Sequence, residues 1–238
     1  MSGHNKWTQI KRQKGSNDAK RSQIFAKLSK VITLNAKNGG DPEANPSLKV
    51  AIDKAKAVNM PADNIQKAIK KGTGELAGEQ LEEVLFEAYG PEGVALIIEA
   101  ATDNNNRTSS EVKHILSKNG GRLGESGSVK WMFDRSGYLE ILVEGGNAEE
   151  LEMAAIEGGA EDVKIDDGTA VVFTKPEDLS AVKTVIEKSG FTVGETGFEW
   201  IAKNKVDVSE ETASRIASLF EALDEQDDVN EIYSNLED

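Results

Sequence analysis

The sequence predicts an α+β protein of three domains: an N-terminal three-helix bundle, a discontinuous α+β domain and an inserted ferredoxin-like βαββαβ domain. Three observations carry this. Apolar residues recur at helical spacing through the first 72 residues. From residue 82 onward, strand-like alternation replaces that period. Between residues 137 and 201 the elements fall in the order strand, helix, strand, strand, helix, strand, which is the split βαβ unit.

The first helix is expected from about Asn17 to Asn38. Ile24, Leu28, Val31 and Ile32 form its stripe, and Gly39-Gly40 end it. The second begins with Asn45 as N-cap and Pro46 at the first helical position, with Leu48, Ala51, Ile52 and Ala55 inward. The third restarts at Pro61, buries Ile65, Ala68 and Ile69, and stops at Gly72. Gly72-Thr73-Gly74 is the linker to the next domain.

Residues 82–89 and 93–102 read as a hairpin around Gly90-Pro91-Glu92-Gly93, and Asn104–Asn119 as a helix. Val129, Trp131 and Phe133 alternate as on a strand, which places Trp131 in the core. The βαββαβ unit follows: strand Tyr138–Val143, helix Asn147–Glu157, strands Val163–Ile165 and Thr169–Phe173, helix Pro176–Ser189, and strand Phe191–Glu199. After it come one helix, Ser209 to about Leu223, and one short strand, Val229–Tyr233. Two elements are too few for a domain, so they are expected to return to residues 74–134. The resulting boundaries are 1–73, 74–134 plus 204–238, and 135–203.

Charge is distributed unevenly. The net charge of −14 conceals 15 Lys/Arg against 5 Asp/Glu in residues 1–72, and 13 against 37 in the remainder. A polarised chain can present its basic end to nucleic acid while the acidic body keeps it in solution. There are no cysteines, which excludes disulfides, thiolate catalysis and cysteine-zinc sites and fits a cytoplasmic location. Apolar runs such as Val94–Ile98 fall far short of a membrane span, and no apolar stretch follows the basic N-terminus as in a secretory signal.

Residues 1–22 read as an arm too polar to order itself strongly. Its Lys6, Lys11, Arg12, Lys14, Lys20 and Arg21 are candidates to neutralise phosphates, and Lys27 on the first helix joins them. Trp7 suits stacking on an unpaired base, and equally suits anchoring the arm to the bundle with Ile10. The loop Asp103-Asn104-Asn105-Asn106-Arg107-Thr108 opens a helix; its N-terminus and Arg107 could hold a phosphate, against the simpler reading of capping by Asn104 or Asn105. The tail Asp224-Glu225-Gln226-Asp227-Asp228 lacks calcium-loop spacing and reads as solvated surface or a helix-terminal turn.

Signs of catalysis are few. The two histidines, His4 and His114, lack a Gly-x-Ser-x-Gly motif to serve, and no phosphate-loop or dinucleotide fingerprint occurs. No cofactor, metal or small-molecule substrate is expected.

The opening Ser2-Gly3-His4-Asn5-Lys6-Trp7, with Ile10-Lys11 and Asp18-Ala19-Lys20-Arg21, resembles the start of YebC-family proteins. So do Gly39-Gly40-Asp41-Pro42, Asn45-Pro46 and Asn59-Met60-Pro61-Ala62-Asp63-Asn64-Ile65. Tyr89-Gly90-Pro91, Thr102-Asp103-Asn104, Asn106-Arg107-Thr108, Lys118-Asn119-Gly120-Gly121, Gly124-Glu125, Gly127-Ser128-Val129, Trp131-Met132-Phe133 and Tyr233-Ser234-Asn235 continue the match in order. That family is known as probable transcriptional regulators that bind DNA. It includes the mitochondrial translational activator of cytochrome c oxidase, and its bacterial members are also viewed as ribosome-associated factors that relieve stalling at proline-rich stretches. The resemblance implies three domains, a cytoplasmic site and no catalysis.

Two functional classes fit. The first is a gene-regulatory binder of DNA or ribosomal RNA, possessing a ribosome-facing role and no membrane partner. Within it RNA is favoured, because no recognition-helix signature occurs and an acidic body is repelled by a naked duplex. The second is an acidic protein-interaction module with no direct nucleic-acid contact.

Overall fold

The computed structural model describes residues 18–78, 80–143, 147–166 and 168–237. Among these residues it is mixed α+β, with seven α-helices and two four-stranded sheets. Chain contacts divide it into two compact units, one formed by 135–201 and the other by residues on both sides of that segment, up to 134 and from 202 to 237.

The larger unit opens with the helices α1 (Asp18–Ala36), α2 (Pro46–Ala57) and α3 (Ala62–Gly72). Asn45 starts α2 as its sequence implies: its Oδ1 accepts from the Leu48 amide at 3.1 Å, while its Nδ2 donates to the carbonyls of Asn35 and Gly39. The three helices close on Ile32, Leu48, Ile52, Met60, Ile65 and Ile69, with Phe25, Leu28 and Val31 packed against them. Where α1 meets α3 the backbones nearly touch. A Cβ on Gly72 would lie 2.3 Å from the Thr33 carbonyl oxygen, so only glycine fits there.

The strands β1 (Glu82–Tyr89) and β2 (Ala95–Thr102) form the expected antiparallel hairpin, with Tyr89 opposite Ala95. The helix α4 (Asn105–Lys118) follows, then a two-residue strand β3 (Arg122–Leu123) that sequence periodicity is too short to register. The expected strand through Val129, Trp131 and Phe133 is absent. Lys130–Met132 form a turn of 3-10 helix, and Trp131 is 65% exposed, which corrects its placement in the core. Alternation over three residues is satisfied by a turn whose Val129 and Phe133 point inward while Trp131 points out.

From the far end of the sequence, α7 (Glu210–Asp224) and β8 (Val229–Ser234) belong to this same unit. Strand β8 pairs antiparallel with β2, giving the order β3-β1-β2-β8, and α7 buries Ile216, Leu219, Phe220 and Leu223.

The other unit contains most of β4 (Phe133–Leu142) and β7 (Val193–Ala202), with α5 (Ala148–Gly158), β5 (Asp162–Asp166), β6 (Thr169–Thr174) and α6 (Leu179–Lys188) between them. The strand order β5-β6-β4-β7 is the 2-3-1-4 order of a ferredoxin-like sheet. Helix α6 begins at Leu179, later than Pro176, because residues 176–178 form a turn instead.

We propose that the chain behaves as the three domains drawn from the sequence. Residues 135–203 expressed alone are expected to melt cooperatively. Residues 74–134 alone are not, since β2 would lose its neighbour β8 and the core would lose Leu219, Phe220 and Leu223. Circular dichroism melts of the two fragments check this; a cooperative transition in 74–134 would refute it.

Candidate nucleic-acid interface

The basic surface is built on α1 and α3. Thr33 ties the two helices together, donating from Oγ1 to the Ala68 carbonyl at 3.2 Å. Small side chains at Ala26, Ser29 and Ala68 keep the crossing shallow, and a cleft of about 330 Å³ opens there. Lys30, Asn64, Lys67 and Lys71 rim it. Lys67, Lys70 and Lys71 are exposed on α3 and have no carboxylate partner among the described residues. Unpaired ammonium groups at the rim of a cleft form an arrangement suited to phosphates.

The residues singled out in the sequence fall into three groups. Lys6, Trp7, Lys11, Arg12 and Lys14 lie outside the described residues. Lys20 and Arg21 stand exposed on α1 rather than in an arm, with the Arg21 guanidinium 5.3 Å from the centre of the Phe25 ring. Lys27 is buried, whereas Arg107 stays exposed while pairing with two carboxylates. Lys27 is 7% exposed, and its Nζ donates to the Asp224 carbonyl and faces the Asp224 carboxylate at 3.5 Å. Arg107 Nη2 donates to Asp103 and to Asp228, both at 2.8 Å. The adjacent N-terminus of α4 is capped by Asn104, whose Oδ1 accepts from the Arg107 amide at 3.1 Å. Asn104 thus caps the helix as the simpler reading held, and Arg107, still exposed, has carboxylate partners in Asp103 and Asp228.

Arg107 and Lys30 share one partner, Asp228. Asp228 follows α7, in the acidic segment read as solvated surface or a helix-terminal turn. Its side chain is 3% exposed. One oxygen accepts from Lys30 Nζ at 2.5 Å; the other accepts from Thr108 Oγ1 at 2.6 Å and Arg107 Nη2 at 2.8 Å. Burial alone would raise the carboxyl's pKa. The hydrogen bonds from Lys30, Thr108 and Arg107 more than offset this and hold it well below the ordinary carboxylate range. Arg107 is pushed upward by the same pairing with Asp228 and Asp103. Gln23 donates to the Glu225 carbonyl at 2.8 Å, and Lys54 meets Glu231 at 3.4 Å. The acidic segment is thus a helix-terminal turn, as one reading held: Asp224 and Asp228 meet Lys27 and Lys30 of α1, while Glu225 and Asp227 stay exposed.

A second buried carboxylate orders a loop on the same unit. Glu87 of β1 is 6% exposed and accepts from the amides of Gly127, Val129 and Lys130, each at 2.6 Å. Gly127 adopts φ +83°, a left-handed conformation that favours glycine. Burial would raise the Glu87 pKa, but the three backbone amides lower it on balance. His114 stands exposed on α4, above an open depression between α4 and α7; nearby, Gln226 Nε2 donates to Glu111 at 2.7 Å. Among the described residues, no group of three or more His, Asp or Glu side chains is placed to hold a metal ion.

Residues 5–75 match a family model described as the TACO1/YebC protein N-terminal domain, and residues 81–236 match one described as the TACO1/YebC second and third domain. The chain belongs to the TACO1/YebC family. A probable transcriptional regulatory protein of Caldanaerobacter subterraneus subsp. tengcongensis is 48% identical over 239 residues, covering 100% of this chain and 98% of that protein. One from Thermosipho africanus is 50% identical, covering 100% and 94%. The crystal structure of a conserved hypothetical protein from Aquifex aeolicus superposes with a TM-score of 0.82 at 45% identity, over 92% of this chain and 91% of that one. No helix among the described residues of this family member is long and apolar enough to cross a membrane.

The Asp228 clasp sets a testable pH dependence. A carboxylate whose folded pKa lies below its ordinary value of 3.8 stabilises the fold above that value. The contribution is lost as pH falls through the lower folded value. Asp228→Asn is expected to destabilise the protein at pH 7 by about 3 kcal/mol, the scale of breaking a buried pair by removing one partner. Urea denaturation at pH 7 and pH 3 is expected to give a smaller difference between wild type and variant at the lower pH.

Proposed function

We propose that this chain is a non-enzymatic, cytoplasmic regulator of gene expression that binds nucleic acid through its basic N-terminal helical region. The observation that carries the reading is the set of unpaired cations left after the clasp has formed. Lys27, Lys30 and Lys54 are drawn inward to Asp224, Asp228 and Glu231, while Lys20, Arg21, Lys67, Lys70 and Lys71 stay on the surface. The arm adds Lys6, Lys11, Arg12 and Lys14 to the same third of the sequence. Lys and Arg at such density give affinity by counterion release without choosing a sequence. The names of the relatives, probable transcriptional regulatory proteins, support a regulatory role.

Promoter DNA and ribosomal RNA are the two candidate partners, and RNA on the translating ribosome is the favoured one. Beyond residue 72 the chain holds 37 Asp/Glu against 13 Lys/Arg, a body that a bare duplex repels and that a ribosome can meet with protein surfaces. A role in relieving stalled translation, as the family resemblance implies, fits that placement.

Replacing Lys11, Arg12, Lys20 and Arg21 with Gln is expected to weaken binding across all sequences. The slope of log K against log salt is expected to flatten by roughly 3 units if all four touch phosphate, at about 0.7 per contact on single strands and 0.9 on duplex. Fluorescence anisotropy at several salt concentrations measures this, with circular dichroism melts as the folding control. An unchanged affinity and slope would instead favour an acidic protein-interaction module. His114→Gln is expected to leave activity near wild type in a complementation assay. Complete loss in a folded protein would restore an enzymatic reading.

A further inference from the structure

A second feature of the larger unit is built to be touched. Trp131 is 65% exposed, yet it is held in place: its indole Nε1 donates to the Ser128 carbonyl at 3.0 Å. The Tyr89 hydroxyl donates to that same carbonyl at 3.0 Å, so the polar ends of the two rings sit side by side. The Arg122 guanidinium lies 4.5 Å from the centre of the Tyr89 ring and is exposed. Beneath them, buried Glu87 holds the loop by three backbone amides. An aromatic ring left to solvent costs apolar exposure, and here a buried carboxylate and two aromatic hydrogen bonds fix it in that position.

The surrounding charge indicates what meets it. Residues 104–132 carry 5 Lys/Arg and 2 Asp/Glu, whereas the rest of residues 73–238 carries 8 and 35. The sign of the acidic body reverses along this stretch of sequence, which includes the loop and Arg122. A rigid, exposed indole beside an arginine and a tyrosine is the chemistry of base stacking with phosphate contact. A protein surface would have to be acidic and offer an apolar pocket; single-stranded nucleic acid offers both an exposed ring face and a negative backbone.

We propose that Trp131, Tyr89 and Arg122 form a second nucleic-acid contact, in which the Trp131 indole stacks on an unpaired base and Arg122 meets a flanking phosphate. This rests on the nucleic-acid reading above and adds what that reading lacks, a preference for unpaired over paired strands.

The probe is a fluorescein-labelled, mixed-sequence single-stranded RNA 20-mer, with the duplex of the same sequence beside it. Trp131→Ala is expected to weaken single-strand binding about 5- to 150-fold, the range for loss of one stacked base. Duplex affinity is expected to change less than about twofold. The salt slope stays at its wild-type value, since stacking releases no counterions, while Arg122→Gln lowers the slope by about 0.7. Trp131→Phe keeps most of the binding, and Glu125→Gln, removing an exposed carboxylate from the loop, strengthens it. In a Trp7→Phe, Trp200→Phe background Trp131 is the only indole, and its fluorescence is expected to be quenched by the single strand. Circular dichroism melts of each variant check the fold, which an exposed ring barely supports. Salt-dependent wild-type binding with an unchanged Trp131→Ala affinity would overturn this contact and leave the basic-region reading standing. Equal losses on single strand and duplex would overturn it as well, and absence of any wild-type binding would sink both.

Discussion

The Asp228 carboxylate is the constraint on which the larger unit depends. It is reached by Lys30 from the helical bundle and by Thr108 and Arg107 from the α+β portion, so one buried charge joins elements nearly 200 residues apart in sequence. Such a group is costly to bury alone, and it stays ionised because cations and a hydroxyl saturate both its oxygens. In the bundle, Lys27 meets Asp224 and Lys30 meets Asp228, while Lys67, Lys70 and Lys71 are exposed.

Glu87 applies the same physics to a loop. Three amides converge on a carboxylate that burial would otherwise neutralise, and the loop they belong to presents Trp131 to solvent. Two buried acids thus tie distant segments together, one joining α1 to α4 and the other ordering the loop that carries Trp131. Both acids come from the chain's acidic majority, whose role is consequently more than solubility.

Much of the fold was legible because local signals agreed with one another. The Asn45-Pro46 helix start, the hairpin at Gly90–Gly93 and the βαββαβ order each combine a period with a turn residue, and each is found where the sequence puts it. Trp131 failed because three alternating residues cannot distinguish a strand from a short turn, and β3 failed because two residues carry no period at all. Lys20 and Arg21, picked out by charge density, stand exposed on α1. That Lys27 meets Asp224 and Arg107 meets Asp228 was not legible, because a cation's residue type does not say whether a carboxylate waits for it across the fold.

By itself, then, the sequence determined the helical bundle, the hairpin, the ferredoxin-like unit and the polarity of charge, since periodicity, capping and composition are properties of neighbours along the chain. Only the tertiary structure decided which cations remain outside and which ring remains exposed. Those outcomes depend on pairings such as Lys30 with Asp228 and Glu87 with Val129, between residues 198 and 42 positions apart. Pairing at that separation is set by how the layers pack, and no local pattern encodes it.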